Sequence, residues 1–206
     1  MLAREHTVHS LGELERIYGE PRAASLVKVA GRITPEYRAW IEAAPFAVLA
    51  SAGAGELDCS PRGDAAGFVR IADDSTLLIP DRAGNNRIDT LRNIVEDSRV
   101  ALLFLVPGVN ESIRVNGSAE ISTDPELLES FAVDGKLPRT VLIVTVKAVY
   151  YQCARAAMRS KLWEPTAHTN RASLPSIGDI LEGVSADFDG KSYDAELKAR
   201  LNRTLY

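Results

Sequence analysis

Apolar residues recur along this chain with two different periods, and the change of period divides it. Before Phe46 the spacing is that of helices. SLGELERIYG places Leu11, Leu14, Ile17 and Tyr18 at helical intervals, with Ser10 as a candidate N-cap and Gly19 as a stop. ITPEYRAWIEAAP follows, with Thr34 as N-cap and Pro35 in the first turn. Tyr37, Trp40 and Ile41 then share one face, and Pro45 ends the helix.

From Phe46 the period drops to that of strands. FAVLASAG and GELDCSPRG read as a hairpin turned around Gly53 to Gly55, and GFVRIADDSTLLIPD as a second one with Asp73-Asp74-Ser75 at its turn. NRIDTLRNIVEDS reverts to helix, with Ile88, Leu91, Ile94 and Val95 expected on one buried face. Two longer strands, RVALLFLVP and ESIRVNGSAEIS, are joined through Pro107-Gly108. DPELLESFA reads as a short helix capped by Asp124, turning Leu127, Leu128 and Phe131 to the core. TVLIVTVKAVYYQ is the last strong strand, CARAAMRSKLW a compact basic helix, and SYDAELKARLNRTL an amphipathic C-terminal helix.

These six or seven strands arrive in hairpin pairs, with helices between them and at both ends. That order predicts a mainly β fold, a closed or partly closed antiparallel barrel rather than a doubly wound sheet. GxGxxG and GxxxxGK[ST] are both missing, which argues against a Rossmann site or a P-loop.

Composition narrows the partners. Of 206 residues, 46% are hydrophobic and 25% charged, which suits one soluble domain with terminal extensions. A net charge of −4 argues against a nucleic-acid partner, so any basic patch is local and suits a small anionic ligand. No apolar run approaches the roughly 20 residues that span a bilayer. MLAREHTVHSLGELERIYGE has no signal-peptide core, so the expectation is a cytoplasmic protein with no membrane partner. Cys59 and Cys153 are expected as small core residues, and His6, His9 and His168 show no ligand spacing, so no metal is expected.

One stretch carries chemistry. SPRGDAAGFVRIADDSTLLIPDRAGNNRIDTLRNI, residues 60–94, sets Arg62, Arg82 and Arg87 among strands and glycines. Either these are solvated surface charges or they surround an anion. Gly63 leaves the backbone beside Arg62 bare. Arg87 stands at the start of a helix, where free N–H groups and the dipole favour negative charge, so it is expected to matter more than Arg82, in the turn before Gly84. Guanidinium forks two donors onto two phosphate oxygens, which suits a phosphate monoester. Arg114, in SIRVNG, reads equally as a site residue or a structural ion-pair partner. No spacing of carboxylates marks an acid–base pair, so no catalytic residue is assigned.

The ordered set SPRGD, GFV, TLLIPDRAGNNRIDTLRNI, SRVALLFLVPG and ESIRVNGSAEIS resembles the FMN-binding split-barrel proteins of the pyridoxamine 5′-phosphate oxidase-like superfamily. Within it the chain is similar to a bacterial subgroup with an RGD, PDRxGNxR, LFxxPG, RVNG and RSxLW pattern, over about residues 30–165. The resemblance implies a split β-barrel with peripheral helices: an N-terminal helical extension over 1–30, the FMN-binding domain over 31–165 and a C-terminal helical extension over 166–206. It also implies a homodimer with FMN in two clefts at the subunit interface.

By the same resemblance, Arg62, Gly63 and Asp64 run along the flavin towards its phosphate. The backbone of Ile79, Pro80 and Asp81 borders the isoalloxazine ring. Asn85, Asn86 and Arg87 match the phosphate-binding element, with Arg87 in place of a Lys and Asn86 in place of an Arg. Ser112 stands where the oxidase proper has a flavin-contacting Gln. Arg159, Lys161 and Trp163 are implied near the flavin of the partner subunit. The chain ends ELKARLNRTLY, without the oxidase's Arg-rich tail, so pyridoxamine phosphate oxidation is not the expected reaction. Three readings follow: an FMN-dependent oxidoreductase on a small molecule, a flavin carrier or sensor without turnover, and a split barrel holding deazaflavin or haem.

Overall fold

The computed structural model describes residues 6–206. Seven antiparallel strands form one sheet: β1 (Phe46–Ala52), β2 (Leu57–Gly63), β3 (Arg70–Asp73), β4 (Thr76–Asp81), β5 (Arg99–Leu105), β6 (Ser112–Ser122) and β7 (Thr140–Gln152). Their spatial order is β2-β1-β5-β6-β7-β4-β3, so the sheet is open, with β2 and β3 at its edges. Both expected hairpins are present, with Gly53 N–H donating to the Glu56 carbonyl at the first turn.

Eight helices accompany the sheet among the described residues: α1 (Leu11–Tyr18), α2 (Ala23–Val27), α3 (Pro35–Ala43), α4 (Asp89–Glu96), α5 (Pro125–Ser130), α6 (Arg155–Ser160), α7 (Ile177–Val184) and α8 (Gly190–Arg203). Ser10, Thr34 and Asp124 cap α1, α3 and α5 as their side-chain chemistry requires. Ser176 and Asp179 form a reciprocal capping box that starts α7, a helix that hydrophobic spacing does not reveal.

Strict alternation on β1 and β5 turns Ala47, Leu49, Leu102 and Phe104 into a core that also takes Leu77, Ile79, Val115, Leu142 and Val144. Ile41 seals one side of it, with Tyr37 and Trp40 packed alongside. Gly117 sits at an irregularity between β6 and β7; a Cβ there would come within 2.1 Å of the Thr145 carbonyl oxygen, so only glycine lets the strands approach.

Two expectations are corrected, and one is limited. The buried face of α4 carries Thr90, Asn93 and Ile94, whereas Ile88 and Val95 are exposed. Hydrogen bonding explains this: Asn93 donates to Ser51 Oγ at 3.1 Å, and Thr90 bonds to β2, so two polar side chains share the inward face with Ile94 and the partly buried Leu91, while Ile88 and Val95 lie off it. Cys59 and Cys153 are exposed free thiols, one on an edge strand and one beyond the end of β7. Leu11, Leu14, Ile17 and Tyr18 keep their helical spacing, but none of the four is buried and none reaches the core of this chain.

A candidate anion cleft where the sheet curls back on itself

β2 and β4 are separated by four strands in the sheet, yet their ends meet. The Arg62 guanidinium lies 3.6 Å from the Asp81 carboxylate, and Arg82 pairs with Asp64 at 2.9 Å. Only strong twist and coiling brings such ends together. A cleft of about 700 Å³ lies along this seam, walled by β2, the end of β4, the loop that follows it, the start of α4, and Arg139 and Thr140 at the start of β7. Leu205 and Tyr206 also line it.

Alternation along β2 builds one wall. Asp58, Ser60 and Arg62 are two residues apart and share one face of the strand, while Cys59 and Pro61 point outward. Pro61 is tolerated because β2 is an edge strand. The inward groups form a directed chain of hydrogen bonds. Arg62 Nη1 donates to Ser60 Oγ at 2.8 Å, Ser60 and Thr90 hydroxyls meet at 2.9 Å, and Thr90 donates to Asp58. Because Thr90 gives its proton to Asp58, Ser60 must donate to Thr90, and Ser60 Oγ is left to accept from Arg62.

Two polar atoms in the cleft walls lack a partner among the described residues. Arg62 Nε and Thr140 Oγ1 are buried and make no hydrogen bond there. Buried donors are normally satisfied, and leaving one bare costs about 1–3 kcal/mol. Four arginines and three aspartates line the cleft, so it is locally basic in an acidic protein.

The arginines differ in their freedom. Arg82 does not face water: Nε and Nη2 hold Asp64, and Nη1 donates to the Phe131 carbonyl at 2.7 Å. Arg87 is exposed, its Nε turned to Asp89, and Arg139 is exposed as well. Asp89 occupies the first turn of α4, so the dipole end that favours an anion already has a carboxylate beside it. Arg139, without a local signal in the sequence, donates to Asn86 Oδ1 at 2.7 Å. Asn86 takes φ of 60°, a left-handed conformation that Asn tolerates better than most residues.

Two carboxyls here are shifted in opposite senses. Burial pushes Asp81 above the ordinary aspartate value, against the opposing charges of Arg62 and Arg139. Burial acts to raise Asp64 as well, but hydrogen bonds from Tyr206, Ala65 and Arg82, with the charge of Arg82, outweigh it and hold Asp64 low. The Tyr206 hydroxyl donates to Asp64 at 2.7 Å, and the Arg82 guanidinium lies 5.5 Å from the centre of its ring.

Of the residues singled out in the sequence, Arg62, Gly63, Pro80, Asp81, Asn85, Asn86 and Arg87 line this cleft, and Asp64 stands directly behind Arg82. Ile79 is fully buried in the core. Ser112, Arg159, Lys161 and Trp163 do not line it. Ser112 is buried where β6 begins, opposite Gln152. Trp163 donates from Nε1 to the Val109 carbonyl at 2.8 Å, and Lys161 pairs loosely with Glu164 at 3.8 Å. Arg159 is exposed on the last turn of α6. Arg114 packs its guanidinium 5.2 Å from the Tyr150 ring centre. Sequence reasoning missed Ser60, Thr90, Arg139, Thr140 and Tyr206.

A family model described as pyridoxamine 5′-phosphate oxidase matches residues 33–153, more than half of the chain. No curated protein matches it. Among solved structures, HupZ from Group A Streptococcus is 24% identical over 57% of this chain and 91% of its own, with a TM-score of 0.46. General Stress Protein 26 from Bacillus anthracis is 18% identical over 55% of this chain and 88% of its own, at 0.42. A Clostridium acetobutylicum protein related to general stress protein 26 of B. subtilis, of the pyridoxinephosphate oxidase family, is 13% identical over 57% and 85%, at 0.44.

Proposed function

This chain belongs to the pyridoxamine 5′-phosphate oxidase family, and on that footing we propose that it is an FMN-binding oxidoreductase acting on a small molecule, with the cofactor phosphate held in the cleft between β2 and β4. The family typically binds flavin. One observation carries the reading for this chain: two buried, unpartnered groups, Arg62 Nε and Thr140 Oγ1, in the walls of a basic cleft of suitable size for a ligand. A phosphate offers acceptor oxygens to such donors.

In this reading Arg62 is the main phosphate ligand, oriented by the Ser60–Thr90–Asp58 chain and partly balanced by Asp81. Thr140 donates its hydroxyl, Arg87 and Arg139 add charge from the solvent side, and Gly63 and Gly84 leave backbone accessible. Arg82 serves the wall instead, through Asp64. Bound flavin supplies hydride and one-electron chemistry, and the protein contributes binding, orientation and electrostatics.

The wider assembly is part of the proposal. The curled sheet is the split barrel of the bacterial subgroup named above, and a homodimer brings Ser112, Arg159, Lys161 and Trp163 of a second copy to the cleft they do not reach within one chain. The test is a visible spectrum of the purified protein with identification of what denaturation releases. FMN supports the proposal; haem, deazaflavin or a colourless protein that takes up no added FMN contradicts it. Oxidation of a reduced nicotinamide by the holoprotein separates the enzyme from a carrier or sensor.

A further inference from the structure

Where α3 crosses the beginning of β6 and the end of β7 there is a second cavity, about 440 Å³, of a different character. Its walls are Tyr37, Trp40 and Ile113 with the ring of Tyr151, and two carboxylates, Glu36 and Glu111, complete the lining. Helical spacing puts Glu36 and Trp40 one turn apart on α3, so acid and indole face the same way. Glu111 immediately precedes β6 and lines the hollow with Ile113, which is paired across the ladder with Tyr151. Thus α3 delivers two aromatic rings and a carboxylate to the hollow, and the β6–β7 side delivers Ile113, the Tyr151 ring and the second carboxylate.

Among the described residues, no basic side chain lines it. The nearest cation shows what the rings accept: Lys28 Nζ stands 4.9 Å from the centre of the Tyr151 ring and 5.7 Å from that of Tyr150. It is held there by donating to the Tyr151 carbonyl at 3.0 Å. The Lys28 carbonyl in turn accepts from the Tyr37 hydroxyl at 2.6 Å, which fixes the Tyr37 ring. Aromatic faces attract cations through their quadrupole, best when carboxylates nearby add charge complementarity and the walls exclude water.

We infer that this cavity is a binding site for a small organic ammonium ion, seated among Tyr37, Trp40 and Tyr151 and balanced by Glu111 and Glu36. A neutral apolar ligand leaves two carboxylates at the rim without a counter-charge, and an anion is repelled by them. Lys28 acts against the guest by like charge from just outside the lining. Neither the cleft nor its arginines take part; the proposed homodimer contact at Ser112 lies between Glu111 and Ile113, and the dilution readout below distinguishes the two.

The test uses the two tryptophans. In the full-length protein labelled with ¹⁵N, the indole signals of Trp40 and Trp163 are followed while choline, and separately its uncharged isostere 3,3-dimethylbutanol, is added. The expected result is a saturable shift of Trp40 alone with choline, and a far smaller one with the alcohol. Glu111→Gln should weaken choline binding by about fivefold, and added salt should weaken it too. Lys28→Gln should tighten it, an opposite sign that a general loss of structure does not produce. Equal responses to both compounds, or no response of Trp40 through the millimolar range, overturns the assignment. So does a Trp40 signal that follows protein dilution and ignores choline, which marks the cavity as covered by a second copy.

Discussion

The two cavities are built on the same sheet and separated by opposite chemistry. In the cleft, β2 and β4 contribute charged groups at a seam where the sheet curls round, and the unsatisfied atoms are donors, Arg62 Nε and Thr140 Oγ1. In the hollow under α3 the walls are aromatic and the charged groups are the carboxylates of Glu36 and Glu111. The two proposals thus put an anion site and a cation site at opposite ends of β7 in a protein of net charge −4. Net charge predicts neither; the pattern of side chains on two strand ends does.

The largest effect expected is one that does not distinguish the two regions. Leu49 is fully buried at the centre of β1, and Leu49→Ala should cost about 2–5 kcal/mol of stability through the cavity it leaves. Chemical denaturation measures it. Loss of ligand at only one cavity in a still-folded Leu49→Ala protein would mean that the two regions do not share the core ascribed to them.

Arg62→Gln separates them. A charge-assisted hydrogen bond is worth about 1.5–3 kcal/mol, so FMN affinity should fall about tenfold or more with the fold intact. Choline binding at Trp40 should not change. Titration of both ligands into the same preparation reads this directly.

Arg87→Ala should weaken FMN less than Arg62→Gln, because Arg87 is exposed and already turned to Asp89. Arg82→Ala should act on the structure instead, releasing Asp64 and Tyr206 from the cleft wall. If Arg82→Ala abolishes FMN binding while Tyr206 keeps its environment, the phosphate has been placed among the wrong arginines.

The smallest effect is one of pH. The Asp64 carboxyl is held below its ordinary value of 3.8 in the folded protein, so its contribution to stability is complete above that value. As pH falls through the depressed native value the contribution is lost, and the Tyr206 contact with it. Tyr206→Phe removes the phenol hydrogen bond, so Asp64 is held less low; the acid-side loss should start at the same pH, be smaller, and end at a higher pH, visible in denaturation curves between pH 2 and pH 5 as roughly the carboxylate range. An unchanged acid limb would mean that the Tyr206 contact contributes nothing to holding Asp64 ionised.

Local chemistry made most of the strands readable. The hairpins around Gly53 to Gly55 and Asp73 to Ser75 follow from turn residues between alternating runs, and Ser10, Thr34 and Asp124 cap helices as their types require. What escaped is what distance along the chain conceals. Arg139 and Thr140 lie in an ordinary stretch at the start of β7 and gain their place only because β7 pairs with β4, Asp81 opposite Thr140. Tyr206 reaches Asp64 across 142 positions. Cys59 reads as core because free cysteine behaves as a small hydrophobe, but residue type does not say which face of an edge strand is covered. On α4, polar bonds to Ser51, Ser60 and Asp58 decide the orientation against the apolar spacing. The Ser176…Asp179 capping box, by contrast, is a plain local signal for α7.

The central claim is that the cleft recognises a phosphate and not merely a flat ring. Calorimetric titration of the flavin-free wild-type protein with FMN and with riboflavin, which lacks the phosphate, tests it most directly. The account predicts FMN tighter by about tenfold or more, in line with at least one charge-assisted contact. Equal affinity for the two, or tighter binding of riboflavin, would contradict it.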